Sequence, residues 1–490
     1  MHQIPIADAG FRAGHIHEWR LSPPLNTFDI RSPGDRPASY NQEKHFAAAV
    51  AARKEHAAED YWVGLSFRIP GPLNLSALEA ALLLFVKRHE VLRCGFDQLI
   101  AGDLRCDVMT PAEVKLLHTD LGPFSSNDEV TAHIQTTFDR DIDTLSWPLF
   151  LMGVVIEGSQ STVYMGFDHI LCDGLSLVVA VDEVQRDYAA LSVGQRLEIE
   201  EPGSYLDFGD AQRRRYSTLT ADSSELDYWR SFIADAGDLF PRVPLDLGIE
   251  YGRMYPALNL TVQLLDDAGA LAFENLCRQH GAKPFMGLLA TVGMALRDIS
   301  GSQTYHGFLP ISERQEPRWR NSFGWFVNTL AITFPIADGM SFPEVVEGVQ
   351  AGFKQLIRNV DVPFVKVWEL LAPQYYHLRT WPFPVNFFSF IDYRKMPGAD
   401  HFDVSRPKTI PESSHSNTGN MWFFRNANGL FLNSIFCDVP KSVDAMARYR
   451  TAIASTLDAL IHRTGALEAP AMPHGGHPRP PVGVECGVPG

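Results

Sequence analysis

Cysteine is scarce in this chain, with six in 490 residues and no C-x-x-C pair. That excludes a disulfide-stapled scaffold, a zinc ribbon and a redox dithiol, and it points to a reducing compartment. Long apolar runs are missing too. Ala80 to Val86, which no other run exceeds, falls far short of the ~20 residues that a membrane-spanning helix needs. The opening residues, MHQIPIADAGFRAGHIHEW, carry His, Asp and Arg throughout and lack the apolar core of a signal peptide. Positive charge is in deficit, 42 Lys and Arg against 58 Asp and Glu, for a net charge of −16. No nucleic-acid partner is expected, because phosphate binding needs clustered positive charge. Broad docking on anionic lipid is disfavoured for the same reason. Gly at 37 and Pro at 33 are near average, which rules out collagen-like and low-complexity chains.

The familiar chemical motifs are absent as well. There is no Walker loop, no G-x-G-x-x-G and no G-x-S-x-G elbow. Asp139 to Asp143 begins like a calcium loop, but Thr144 stands at the glycine position and Phe150 at the bidentate acid. His89-Glu90 begins like a zinc-protease helix, yet Arg93 stands where the second His belongs. No metal site is expected. Arg213-Arg214-Arg215 reads as a solvated helix face, the usual fate of a charge run, against the alternative of a phosphate contact.

What remains is an ordinary globular composition, 45% hydrophobic and 20% charged, long enough for two large domains or three average ones. Val63, Leu65, Phe67 and Ile69 alternate with smaller or polar residues, the period of a half-buried strand. Ser76 and Glu79 read as the capping box of a helix whose face is Leu78, Leu82, Phe85, Val86, His89 and Leu92. Leu149 to Ile156 and Thr162 to Phe167 read as strands around a Gly158-Ser159-Gln160 turn, and Gly174 to Leu191 as a helix. Periodicity fades over 196–224, the expected linker between an N-terminal lobe, 1–195, and a C-terminal lobe, 225–465. In the second lobe Leu258 to Leu264 reads as a strand, Asp267 to His280 and Phe285 to Ile299 as helices. Trp325 to Phe334 and Val385 to Ile391 read as buried strands, and Met421 to Cys437 as a hairpin with Asn428-Gly429 in its turn. Ser442 to His462 reads as the last helix. Residues 466–490 hold 11 Pro or Gly and read as a disordered tail.

The segment Val163-Tyr164-Met165-Gly166-Phe167-Asp168-His169-Ile170-Leu171-Cys172-Asp173-Gly174 stands out. An apolar strand delivers His169 at its end, and Asp173-Gly174 turns the chain into a helix. A histidine held by a rigid element can take a proton from a hydroxyl or amine attacking a carbonyl. On spacing alone a lone His plus Asp is more often structural than catalytic. Cys172 reads as a small packing residue.

His169-x-x-x-Asp173-Gly174 resembles the HxxxDG signature of the superfamily of chloramphenicol acetyltransferase, plant acyltransferases and nonribosomal condensation domains. The resemblance extends in order along the chain. It includes Leu83 to Arg93, Phe138 to Phe150 with Trp147-Pro148-Leu149-Phe150, and Pro310-Ile311-Ser312-Glu313-Arg314. Phe323-Gly324-Trp325-Phe326-Val327-Asn328-Thr329-Leu330, Val362-Pro363-Phe364 and Val385-Asn386-Phe387-Phe388 follow. Length, start and the lack of carrier modules look most like the polyketide-associated acyltransferases of actinobacteria, which are similar to trehalose-lipid acyltransferases. Two departures stand out: Asp168 takes the place of the second His of condensation domains, which disfavours amide formation, and the plant D-F-G-W-G segment is missing.

The resemblance implies an α/β fold of two chloramphenicol acetyltransferase-like lobes, each a mixed sheet with flanking helices, and an active-site tunnel between them. It implies His169 as general base, Asp173 as a structural residue paired with Arg314, and Gly174 supporting the motif turn. Asn328 or Thr329 would meet the oxyanion or substrate. No cofactor is expected, since acyl-CoA or a phosphopantetheine thioester on an acyl carrier protein or polyketide synthase is substrate. The acceptor is expected to be a sugar or lipid alcohol, trehalose foremost, in cell-envelope glycolipid synthesis. A cytoplasmic monomer follows, with at most peripheral contact at the inner membrane face. The alternatives are a free-standing amide-forming condensation domain and an inactive protein that binds acyl chains or a synthase.

Overall fold

The computed structural model describes residues 1–22, 36–55, 62–98, 104–197, 201–378 and 383–463. The tail expected over 466–490 lies outside the described residues.

The alternating segment forms the strand Trp62–Pro70 and pairs antiparallel with Gln160–Asp168 from Trp62 opposite Asp168 to Pro70 opposite Gln160. These two are the centre of a seven-stranded sheet. Its order from edge to edge is His2–Gln3, Lys408–Pro411, Trp62–Pro70, Gln160–Asp168, Phe150–Ile156, Gly14–Leu21 and Leu116–Phe124. Leu65, Phe67, Val163, Met165 and Phe167 point to one face, against the helices Leu75–Arg88 and Gly174–Ser192. Each such side chain contributes about 1.5–3 kcal/mol by burial. The other face carries the helix Asn127–Asp141 through Val130, Ile134 and Phe138. Gly166 is required there, since a Cβ would stand 2.7 Å from Phe138 and 2.6 Å from Ile142.

The helix start differs from the capping box expected at Ser76 and Glu79. Asn74 is the cap, accepting from the Ala77 amide at 3.1 Å, and the helix begins at Leu75. Asn caps as well as Ser does, and Glu79 is drawn instead to the buried Trp19 indole, which donates to it at 3.2 Å.

The second lobe holds a five-stranded sheet in the order Phe388–Asp392, Gly419–Asn426, Gly429–Cys437, Tyr255–Asp266 and His415–Ser416. Beside it the hairpin Thr304–Ser312 and Val327–Pro335 touches the first sheet strand's approach through a bridge between Phe308 and Phe387. The helices Asp267–Gln279, Pro284–Ser300, Phe342–Ile357 and Pro440–Arg463 flank these sheets. Among the described residues no helix is long and apolar enough to cross a membrane.

Two features cross the expected boundaries. Residues 196–224 contain the helix Tyr205–Tyr216, whose Tyr205, Leu206 and Phe208 enter the first core while Tyr216 enters the second. The arginine run on that helix is more than a solvated face. Arg213 lies over the Tyr40 ring and donates to Ala38 O and Glu43, and Arg215 pairs with Asp361; Arg214 is exposed. The second feature is Lys408–Pro411, which leaves the second lobe to pair with Val63–Ser66 inside the first sheet.

Candidate active site between the lobes

The strand Gln160–Asp168 ends at Asp168, whose carboxylate accepts from the Ile170 amide at 2.8 Å and caps the short turn His169–Leu171. His169 therefore sits on the first residue of a turn anchored at both ends. Gln42 supports the middle by donating to Ile170 O at 3.1 Å. Cys172 is fully buried within this turn, and burial pushes its thiol pKa well up, which fits a packing role.

Asp173 caps the helix Gly174–Ser192 with a full capping box, and its carboxylate is saturated. One oxygen accepts from the Ser176 amide and hydroxyl, both at 2.9 Å, and from Arg314 Nη2 at 2.9 Å. The other accepts from Arg314 Nη1 at 2.7 Å and from the Phe326 amide at 2.9 Å. The bidentate pair is nearly dry, 6% exposed at Arg314 and 2% at Asp173. Arg314 spends its remaining donors on Ser322 O and Gly324 O and lies 4.5 Å over the Phe326 ring. The motif turn of the first lobe and the segment 322–326 of the second are thus one hydrogen-bonded unit. That unit carries Trp325, whose ring centre lies 4.3 Å from that of His169.

The His169 ring is half-buried. Its Nδ1 is buried with no hydrogen-bond partner outside its own residue, which leaves Nε2 as the nitrogen open to an incoming group. Burial lowers the His169 pKa from its ordinary value, and the nearby His45 ring lowers it further. Its own carbonyl, Asp168 and Asp173 act in the opposite sense. The net result is a neutral imidazole at neutral pH, the form that can accept a proton.

Sequence reasoning gave no role to His45. It lies on the helix Tyr40–Lys54, which opens with a Ser39/Gln42 capping box. Its Nε2 meets Asp168 at 3.0 Å, and the Thr144 hydroxyl donates to the other oxygen of Asp168 at 2.6 Å. The His45 ring centre lies 6.3 Å from His169 and 5.5 Å from Trp325. Asp168, the departure noted in the motif, is therefore both the cap of the His169 turn and the carboxylate partner of His45. The S-x-x-Q box and the alanine-rich run Phe46 to Ala52 are sequence signals for this helix, but nothing nearby in sequence ties it to His169.

Two sequence-derived assignments change. Asn328 is not free to meet an oxyanion. Its amide donates to Val360 O and Val362 O, each at 2.8 Å, and its carbonyl accepts from the Phe364 amide at 2.9 Å, all buried. It fastens the chain before the helix Phe364–Leu371. Thr329, next along the strand, is half-buried and projects from the opposite face. Gly174 is not demanded by the backbone. It is the exposed first residue of its helix, its φ lies outside the left-handed region, and a Cβ would meet only Ile391 at 3.9 Å.

Residues 37–388 match the Condensation domain family. Among characterised relatives, the chain is 27% identical over 451 residues to the Mycobacterium tuberculosis protein "Acyltransferase PapA3", covering 90% of this chain and 93% of the relative. It is 31% identical over 363 residues to "2'-acyl-2-O-sulfo-trehalose (hydroxy)phthioceranyltransferase PapA1" of Mycobacterium bovis, 73% of this chain and 69% of that one. Among solved structures, "PapA2 acyl transferase" superposes with a TM-score of 0.84 at 23% identity, over 94% of this chain and all of that one. The first condensation domain of the CDA synthetase follows at 0.68, with 16% identity over 87% and 96% of the two chains.

Proposed function

The chain belongs to the condensation-domain family and is an acyltransferase, and we propose that it esterifies a hydroxyl of trehalose, or of a trehalose derivative, with a long acyl group from a thioester. The observation that carries this reading is His169, a neutral imidazole with an open Nε2 at the end of a buried strand, held against Trp325 where the two lobes meet. His169 takes the acceptor hydroxyl's proton at Nε2 as the oxygen attacks the thioester carbonyl. The tetrahedral intermediate then collapses, the carbon–sulfur bond breaks, and the thiolate leaves with the proton from the imidazolium. The thioester is already activated, so no acyl-enzyme is required and none of the buried cysteines is needed as a nucleophile. Asp173 and Arg314 do not touch the reacting atoms; they fix the turn that carries His169.

Acceptor and donor follow from the relatives' printed names and from general chemistry. By name, PapA1 acts on 2'-acyl-2-O-sulfo-trehalose and the "Trehalose-2-sulfate acyltransferase PapA2" on trehalose-2-sulfate. The acyl chain would lie between the lobes, where each buried methylene contributes about 0.8 kcal/mol, so long chains are preferred over acetyl. The donor is acyl-CoA or the phosphopantetheine arm of an acyl carrier protein.

The test is a kinetic series of acyl-CoA donors from acetyl to palmitoyl, with trehalose, sulfated trehalose or a primary amine as acceptor, read by mass spectrometry. Sugar esters whose kcat/KM rises with chain length are the expected result. Amides in place of esters, or no dependence on chain length, would overturn the reading in favour of condensation-type chemistry.

A further inference from the structure

In the sequence His15-x-His17 is only a pair, too few ligands to hold a metal, and the fold adds a carboxylate to it from a second strand. Gly14–Leu21 pairs antiparallel with the edge strand Leu116–Phe124. His15 and His17 share a face by alternation, and the register sets His17 opposite Asp120 and Trp19 opposite His118. The register shifts between Ile16 and His17, leaving Leu121 as the extra residue of a bulge; Gly122 beyond it takes a left-handed φ of 81° and donates its amide to Asp120 at 2.9 Å. That bulge aims Asp120 at His15, whose Nε2 lies 2.5 Å from its carboxylate. The His15 and His17 rings stack 4.7 Å apart. One ligand atom from each of His15, His17 and Asp120 lies within 4.8 Å of the other two.

We propose that this sheet edge binds one zinc ion through His15 Nε2, His17 Nε2 and Asp120, with a fourth position left to water. The choice of metal follows from the donors: two imidazoles and one carboxylate suit a borderline cation, whereas calcium and magnesium take oxygen ligands. The choice of atom on His17 follows from His118, whose Nε2 lies 3.0 Å from His17 Nδ1 and leaves Nε2 for the metal. His118 is itself stacked on the buried Trp19 at 5.1 Å, so it serves as the outer partner that fixes a ligand's tautomer. On binding, zinc takes the place of the hydrogen between His15 Nε2 and Asp120, and the neutral His15 ring keeps its one proton on Nδ1.

The site lies away from the acyl-transfer centre. His15 pairs with Ile156, which pairs with Ser161, at the opposite end of the strand that finishes at Asp168. Seven residues of strand separate the two ends, on the order of 23 Å. Zinc here fastens the edge strand to the sheet and leaves His169 alone.

The test uses the full chain without an affinity tag, stripped with a chelator and titrated with zinc by calorimetry, and with cobalt by visible absorption. One equivalent bound, a higher Tm in zinc, and cobalt bands of a low-coordinate site are expected. Binding should be lost in His15→Asn with Asp120→Asn and weakened about 10–100-fold in His118→Ala. His474→Ala with His477→Ala, outside the described residues, should leave the stoichiometry at one. Because the three ligands are not all buried, circular dichroism of the metal-free variants should match the stripped parent. A stripped parent that binds no zinc, or an Asp120→Asn variant that binds it as tightly as the parent, overturns the proposal. So does loss of binding in the tail variant.

Discussion

The chemistry rests on the protonation state of one ring. His169 has a lowered pKa, so it loses its lone pair only as pH falls below the ordinary histidine range. The sign is clear: kcat/KM is flat at neutral pH and drops on the acid side, below pH 6.5. His169→Ala should cut the transfer rate by about 10²–10⁴ with the melting temperature little changed. His45→Asn removes a group that opposes protonation of His169 and leaves Asp168, which favours it. Its acid limb should therefore move to higher pH; a limb that stays put would show that His45 only fills space. Gly174→Ala meets open room and an allowed φ, so stability should change by less than about 1 kcal/mol. A loss of activity in that variant would then report a substrate passing close to the exposed helix start. His169 and Asp173 stand out in the sequence because a strand, a turn and a helix signal coincide around them, whereas Arg314, 141 residues from Asp173, is reached only through the family resemblance. His45 and the hydrogen bonds of Asn328 do not, because 123 residues separate His45 from Asp168, and Asn328's partners lie 32–36 residues away.

At the scale of elements, Asp173 and Arg314 act as a joint between the helix Gly174–Ser192 and the segment 322–326. Removing either partner leaves a buried charge uncompensated, at about 3–5 kcal/mol. Asp173→Ala and Arg314→Ala should each lose activity, and the double variant should cost far less than the sum. Chemical denaturation and kinetics on the four proteins of the cycle measure this; additive losses would dissolve the joint. Asn328→Ala strips partners from two buried carbonyls and an amide before the helix Phe364–Leu371, so it should destabilise by about 1–3 kcal/mol for each unsatisfied group. Strand and helix cores were legible from periodicity: Trp62–Pro70, Gln160–Asp168 and Pro284–Ser300 follow their apolar patterns closely. Helix starts were less so, as Asn74 shows, because several polar residues compete to cap and the winner depends on what else each one contacts.

For the whole molecule, two lobes were legible from the fading periodicity over 196–224 and from the family resemblance, but the long-range pairing that crosses between them was not, because no local pattern encodes it. Lys408–Pro411 is four residues long, too short for its alternation to announce a strand, and its partner lies more than 340 residues earlier. Because that strand covers the flank of Trp62–Pro70, residues 1–197 made alone would present an unpaired apolar edge. Such a fragment should aggregate or elute as oligomers in size-exclusion chromatography, while a fragment supplied with a peptide spanning 404–413 should regain solubility.

The borrowed strand also sets a timetable. During synthesis Trp62–Pro70 leaves the ribosome long before Lys408–Pro411 exists, and at ordinary elongation rates the wait is on the order of 20–70 s. The sheet that presents His169 is finished only when nearly all of the described chain has been made. A nascent chain stalled or truncated before Lys408 is thus unfinished in its catalytic half as well as in its second, and quality-control machinery meets it with that flank still open.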